Sequence, residues 1–265
     1  MGRKPAVFAA WRLRGAWRML KPMATLRDWL AAGPYTLAMS SGFFGFFAHA
    51  GLLSVLEAEG LAPARVCGSS AGALVGGLWA SGISAVRICD ELARLRREDF
   101  WDVRPGPGLL RGALFRARIE ALAPAKTFAA CRVPLAISVF DVAAMRTAVL
   151  RDGALAPAVH ASCALPLMFQ PVRIGRRFYL DGGIRDRPGL RGADPGERIL
   201  FHNLTSRSPW RRRGSGALRA PSRPRMQVVA IDDLPRVNPF QLQRGRQAID
   251  SAARGMLQAL ARAAG

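Results

Sequence analysis

Lysine is almost missing from this chain. Lys4, Lys21 and Lys126 are the whole complement, and the rest of the 39 basic residues are arginine. Acids are scarce as well, 18 against 39, which leaves a formal net charge of +21. Such an excess favours anionic partners such as a membrane surface, nucleic acid or an acidic substrate; the alternative is arginine drift from a biased genome. Cysteine is sparse and scattered, at positions 67, 89, 131 and 163, with no C-x-x-C pair. Zinc ribbons and thioredoxin-like redox motifs are thereby unsupported. A chain of 265 residues needs no disulfide staples, so reduced thiols and a cytoplasmic location are expected. No metal-ligand constellation is visible, and no metal or cofactor is expected. Half of the residues are apolar, which excludes wholesale disorder.

The first 27 residues hold seven basic side chains and no acid. Arg12, Arg14 and Arg18 break every apolar run there, which argues against a secretory signal. The stretch Phe8 to Leu30 mixes Trp11, Trp17 and Trp29 with arginines, the composition of a helix lying in a lipid interface. It reads equally as a basic extension without function, or as the result of a misplaced start, with Met19 or Met23 the true one. Two stretches, Ala31 to Leu56 and Val66 to Val86, lack Asp, Glu, Lys and Arg. Each is long enough to cross a bilayer, but Gly and Ser recur in both at turn spacing, which fits strand–turn–helix units better.

The domain reading is a basic extension over residues 1–30 and one catalytic domain over 31–265. Tyr35 to Met39 is a short apolar strand, followed by a turn from Ser40 to Gly45 and a helix from Phe47 to Glu59 that stops at Gly60. Ala64 to Cys67 is a second strand, running into Gly68-Ser69-Ser70-Ala71-Gly72 and a small-residue helix to Ala80. Strand–turn–helix repeated twice predicts parallel strands with crossover helices. A solvated helix is expected over Ser84 to Phe100 and another over Leu114 to Leu122. Strands are expected at Val133–Phe140, Thr147–Leu150, Arg177–Leu180, Ile199–Leu204 and Met226–Ile231. A short helix is expected over Ala154 to Ser162. Residues 205–225 carry seven arginines and no acid, which reads as an exposed basic loop. An amphipathic helix closes the chain, within 239–264.

The strongest chemical signal is G-x-S-x-G at Gly68 to Gly72, because a strand precedes it and a helix follows. That context makes a sharp turn that exposes the middle serine, Ser70, beside a helix N-terminus. A serine hydroxyl needs a base. His49 sits on the helix after the first turn and reads as a packing residue. His160 lies near a helix end. His202 lies in a strand, and the order Ser70, Asp, His202 would suit an α/β-hydrolase, although that fold builds several strands before its nucleophile. Asp181 is the other candidate. It ends a strand ahead of Gly182-Gly183, where it serves either as a base or as an ordinary turn aspartate. The N–H groups of Gly42, Phe43 and Phe44 are candidate oxyanion donors.

The order glycine-rich turn, A-H-x-G-x-L helix, G-S-S-A-G and late D-G-G resembles the patatin-like phospholipase family, over about Tyr35 to Asp186. The segment Ala161 to Pro166, ahead of Phe169 and Pro171, resembles the family's approach to its D-G-G. The resemblance implies a three-layer α/β/α fold with a mainly parallel central sheet. It also implies a histidine-free dyad of Ser70 and Asp181, and hydrolysis of lipid acyl esters through an acyl-serine. Two departures stand out. Ser40 replaces the first glycine of the first turn, and Phe44 sits where the family often has Arg or Lys. Phe43, Phe44, Phe46 and Phe47 either line an acyl-chain pocket or belong to the core.

A lipid acyl hydrolase held on anionic membrane by its basic segments is thus the leading expectation, cytoplasmic or peripheral at the inner membrane surface. A soluble esterase or thioesterase of the same fold, or a non-catalytic lipid-binding member, are the alternatives. Nucleic-acid binding rests on charge alone, with no motif to carry it.

Overall fold

The computed structural model describes residues 24–205 and 218–264. The interfacial reading of the N-terminal segment and most of the basic loop therefore fall outside the described residues. The chain enters through helix α1 (Leu26–Ala31), which opens on a capping box: Thr25 and Asp28 each accept the other's backbone N–H. Leu26 and Leu30, one turn apart, are buried, and Trp29 lies 4.1 Å beneath the Arg198 guanidinium. The end of the expected extension is therefore seated on the domain.

Strand β1 (Thr36–Met39), helix α2 (Phe46–Ala58), strand β2 (Arg65–Ser69) and helix α3 (Ala71–Ala80) follow. The two charge-free stretches are these strand–turn–helix units. Among the described residues no helix is long and apolar enough to cross a membrane. Helix α3 is buried along its whole length, which its Gly and Ala content permits. Gly72 is an example: a Cβ there would collide with the Met39 carbonyl of β1.

Helix α4 (Ala85–Ala93) is shorter than the expected helix to Phe100. The chain turns extended at Arg96, whose N–H is taken by the Asp99 carboxylate at 2.8 Å. That side-chain acceptor replaces the next helical bond, and a 3-10 turn over Arg97–Asp99 follows. Strand β3 (Gly108–Leu110) and helix α5 (Ala113–Leu122) come next. The Asp102 carboxylate accepts the N–H groups of Gly112, Ala113 and Leu114 at the start of α5. Then come β4 (Leu135–Asp141), β5 (Arg146–Leu150), α6 (Leu155–Cys163), β6 (Leu167–Phe169), β7 (Val172–Ile174), β8 (Arg177–Asp181), β9 (Ile199–His202), β10 (Met226–Val229) and α7 (Gly245–Leu260). Strands β3, β6 and β7 are unanticipated, since three residues carry too little periodicity to read.

The fold is α/β with a mainly parallel sheet. Its order is β10-β9-β1-β2-β4-β8-β7, with β5 on β4 as well. The first five run parallel, while β8, β7 and β5 join antiparallel. One sheet face, with Leu37, Met39, Val66 and Ile137, shares a core with the helices. The other, with Ala38, Cys67, Ala136 and Phe201, is covered by Leu190 and Ala193 of the segment between β8 and β9.

Strand β4 decides what meets at the site. Ile137 and Ser138 pair with both β2 and β5, and Val139 to Asp141 pair with both β5 and β8. A strand has two edges, so β2 and β8 share the edge opposite β5. Parallel β2 ends with Ser69 beside Ser138, and antiparallel β8 ends with Asp181 beside Val139. The two chain ends therefore meet head-on at adjacent residues of β4.

Candidate active site

Ser70 occupies that meeting point. Its backbone stands at φ 53° and ψ −114°, a conformation that costs a non-glycine residue about 1–3 kcal/mol. Several bonds hold it there. The Ser70 N–H donates to Ser162 Oγ at 2.8 Å, and the Ser162 hydroxyl donates to the Ser138 carbonyl at 2.7 Å. The Ser70 carbonyl accepts from Leu74 N–H at 3.0 Å as α3 begins. Ser162 thus ties the turn to β4 through α6. Its role becomes visible only once α6 lies over the sheet; in the sequence the Ala161–Pro166 segment that holds it carried a resemblance but no role for Ser162 itself.

Asp181 reaches Ser70 directly. The Ser70 hydroxyl donates to Asp181 Oδ2 at 2.7 Å, and Gly183 N–H donates to Oδ1 at 2.7 Å. Asp181 is 3% exposed. Burial pushes its carboxyl up to about 6, against the pull of the Ser70 hydroxyl and the Gly183 N–H. The neighbouring Gly182 lies so close to the Ser138 carbonyl that a Cβ would overlap it. The elbow residues Gly68, Ser69 and Gly72 and the dyad turn Gly182-Gly183 all lie against this junction.

The histidines do not reach Ser70. His49 and His202 are fully buried and face each other, Nδ1 to Nδ1, at 2.8 Å. His49 Nε2 lies 2.7 Å from the Ser40 carbonyl and so carries the proton. His49 Nδ1 is then bare, and His202 Nδ1–H donates to it. Burial lowers the pKa of His49 to about 4 and of His202 well below the ordinary value. His160, on α6, lies between the rings of Phe115 and Phe169, and burial lowers its pKa to about 4.

The first turn lies across from the dyad. Gly45 N–H closes it on the Gly42 carbonyl at 2.9 Å, and among the described residues no acceptor takes the N–H groups of Gly42, Phe43 or Phe44. The Ser40 side chain, in place of a glycine, is buried and accepts the Leu204 N–H at 2.9 Å. Phe44 adopts a left-handed φ of 53°.

All three donors line a cavity of about 370 Å³ shared with Ser70, Ala71 and Asp181. Leu74 and Leu78 of α3, Leu92 and Leu95 around the end of α4, and Phe115 and Ile119 of α5 extend its apolar wall. The phenylalanine cluster divides. Phe43, Phe44 and Phe46 line the cavity, whereas Phe47 is wholly buried in the core. The four cysteines are free. The Cys163 thiol donates to the Ser70 carbonyl at 3.2 Å, and burial raises its pKa well above the ordinary value, so it stays neutral there.

The chain is similar to known proteins in sequence and in fold. The chain is similar to uncharacterized NTE family proteins of Mycobacterium bovis and Mycobacterium tuberculosis, at 28% identity over 158 residues. That match covers 57% of this chain but only 42% of each mycobacterial protein. Its fold is similar to the crystal structure of VipD from Legionella pneumophila, with a TM-score of 0.56 at 15% identity, over 86% of this chain and 66% of that one. The family model described as patatin-like phospholipase matches residues 37–194, a span that holds the first turn, Ser70 and Asp181 alike. With more than half of its length so matched, the chain belongs to the patatin-like phospholipase family.

Proposed function

We propose that this chain hydrolyses acyl esters of membrane lipids, with Ser70 as nucleophile and Asp181 as base. The observation that carries the reading is the 2.7 Å bond from the Ser70 hydroxyl to Asp181 at the wall of an apolar cavity. Asp181 takes the hydroxyl proton on Oδ2 as Ser70 Oγ attacks the ester carbon. The tetrahedral oxyanion turns to the N–H groups of Gly42, Phe43 and Phe44, and losing one such donor would cost about 10²–10³-fold in rate. Collapse releases the alcohol, which leaves with the proton from Asp181. Water then attacks the acyl-serine as Asp181 takes its proton, and collapse frees the fatty acid while that proton returns to Ser70 Oγ. A carboxyl raised to about 6 is ionised at neutral pH yet close enough to accept a proton, which suits a general base. The apolar wall suits an acyl chain, which needs area removed from water rather than hydrogen bonds.

The basic N-terminal segment and the arginines of 205–225 suit an anionic lipid surface, at about 1 kcal/mol for each well-placed cation. The test is fatty-acid release from mixed anionic and zwitterionic phospholipid vesicles, with wild type beside Ser70→Ala and Asp181→Asn at matched folding. Release by wild type alone supports the dyad. Release by Asp181→Asn at the wild-type rate moves the base elsewhere. Turnover of short soluble esters with none on vesicles replaces the lipid reading by a soluble esterase. Lipid binding without turnover makes the chain a lipid-binding member.

A further inference from the structure

The apolar path does not stop at the cavity. Phe43, Phe44 and Phe100 line it. Phe43 meets Phe44 at 4.9 Å between ring centroids, and Phe44 meets Phe100 at 6.1 Å. Phe100 is buried, yet it passes the contact outward to Trp101 at 6.2 Å, and Trp101 meets Phe240 at 6.0 Å. These separations are those of paired aromatic rings. An unbroken file of rings therefore leads from the first turn to the surface, where Phe240 is 69% exposed.

The outer end is assembled from two distant segments. Trp101 follows the 3-10 turn after α4, and Phe240 lies ahead of α7. The Phe240 N–H donates to Asn238 Oδ1 at 2.9 Å, a local turn that fixes the backbone beneath the bare ring. The Arg97 guanidinium lies over both outer rings, 5.6 Å from Trp101 and 5.5 Å from Phe240. The acids of that turn are taken by other arginines: Glu98 by Arg96 at 3.9 Å and Asp99 by Arg118 at 3.5 Å. Among the described residues no carboxylate pairs with Arg97.

A single exposed apolar residue is ordinary. Here two rings and an unpaired cation form one patch, and the patch continues inward to an apolar cavity. Rings that served stability alone would be covered, because each bare ring forgoes the gain of leaving water. An indole, a phenyl ring and a guanidinium side by side suit the boundary between lipid head groups and acyl chains. The rings enter the acyl region while the cation meets phosphate. The cavity also opens on bare apolar side chains, since Leu167 and Ile184 both line it and are both exposed.

We propose that Trp101, Phe240 and Arg97 form the surface by which this chain seats on a phospholipid bilayer. The inference takes its occupant from the reading of membrane lipid as substrate, on which it rests. It is separate from the basic segments, which act through charge alone.

The test is vesicle binding by sedimentation in a Ser70→Ala background, where the proposed nucleophile is absent. One set of vesicles is phosphatidylcholine and the other adds phosphatidylglycerol. The zwitterionic set isolates the rings, because the basic segments meet no net charge there. Phe240→Ser is expected to weaken binding to both sets about tenfold, as for one phenyl ring kept in water. Phe240→Trp is expected to stay within about threefold of the parent, because indole suits the same boundary. Arg97→Gln is expected to lose about fivefold on the anionic set, the share of one cation. Val86→Ser is the control. Val86 is 59% exposed and opens α4, which begins only after α3 has run its ten residues from Ser70. It should bind as the parent does.

Phe240→Ser that binds both sets as tightly as the parent overturns the proposal, and light scattering then shows whether the patch joins two copies instead. A parent that binds neither set overturns it as well, as does a loss that Val86→Ser matches. The reading of hydrolysis fails separately. Wild type that binds through Phe240 yet releases no fatty acid from the same vesicles keeps the docking surface and removes the chemistry.

Discussion

Two buried polar pairs stand beside the C-terminal ends of the sheet strands, and they have opposite fates. His49 and His202 meet at 2.8 Å in the interior, both 0% exposed. Ser70 and Asp181 meet at 2.7 Å in the wall of a cavity. Histidine has the more familiar chemistry of a base near neutral pH. Here three of the four ring nitrogens are committed to each other and to the Ser40 carbonyl, and His202 Nε2 has no hydrogen-bond partner among the described residues. Asp181 is a poor base in water, yet it touches the hydroxyl and lines the cavity. In the proposed mechanism, access and pairing, rather than residue type, assign the chemistry.

The largest expected effect breaks the cavity pair. Ser70→Ala should lower fatty-acid release by about 10⁴-fold or more, since removing a nucleophile abolishes the covalent route. Asp181→Asn should cost about 10²–10⁴-fold, the range of general-base catalysis. Initial rates on vesicles measure both, and a variant within threefold of wild type would remove that residue from the mechanism.

A pH series tests the same pair from another side. The kcat/KM profile should rise about tenfold per unit below about 6 and flatten above it, because only the ionised Asp181 accepts a proton. Stability moves the other way. The folded carboxyl titrates above its unfolded value of 3.8, so its contribution is intact below about 4 and lost as pH climbs through about 6. Asp181→Asn should therefore melt higher than wild type at pH 8, by a few degrees, and gain nothing at pH 4. A flat rate profile between pH 5 and 7 would contradict the raised carboxyl.

The cavity itself yields a smaller effect. Leu78 lines it two turns along α3 from Ala71, or about 10 Å at 1.5 Å per residue. Leu78→Trp should shift the preference towards shorter acyl chains by about tenfold in kcat/KM, a few methylenes' worth of burial. Unchanged selectivity across a chain-length series would place the acyl chain elsewhere.

The smallest effect belongs to the sealed pair. His202→Asn keeps a donor near the His49 ring and removes the unpartnered nitrogen, so lipid hydrolysis should stay within about threefold of wild type, because oriented donors, not histidine, are required there. A dead His202→Asn that still folds would return His202 as base. All three histidines are held neutral by burial. Unfolded histidines take protons near 6.5, so stability should hold above that pH and fall as pH drops towards about 4, which thermal melts would follow.

The sequence alone determined the two strand–turn–helix units, the elbow around Ser70 and the expectation of a mainly parallel sheet. These are local: apolar runs between Gly- and Ser-rich turns need no distant partner to be recognised. It also carried the resemblance that singled out Asp181. What it left open was the choice between Asp181 and His202 by their surroundings, and the division of Phe43, Phe44 and Phe46 from Phe47. Those depended on packing between segments far apart in the chain. Asp181 reaches Ser70 because antiparallel β8 and parallel β2 end on adjacent residues of β4, a register that no local period encodes. His202 is withdrawn because β9 lies beside β1 and delivers it to α2. The turn of the proposed nucleophile was legible because strain is written in glycines and small residues nearby; its partners were decided only when the sheet closed around it.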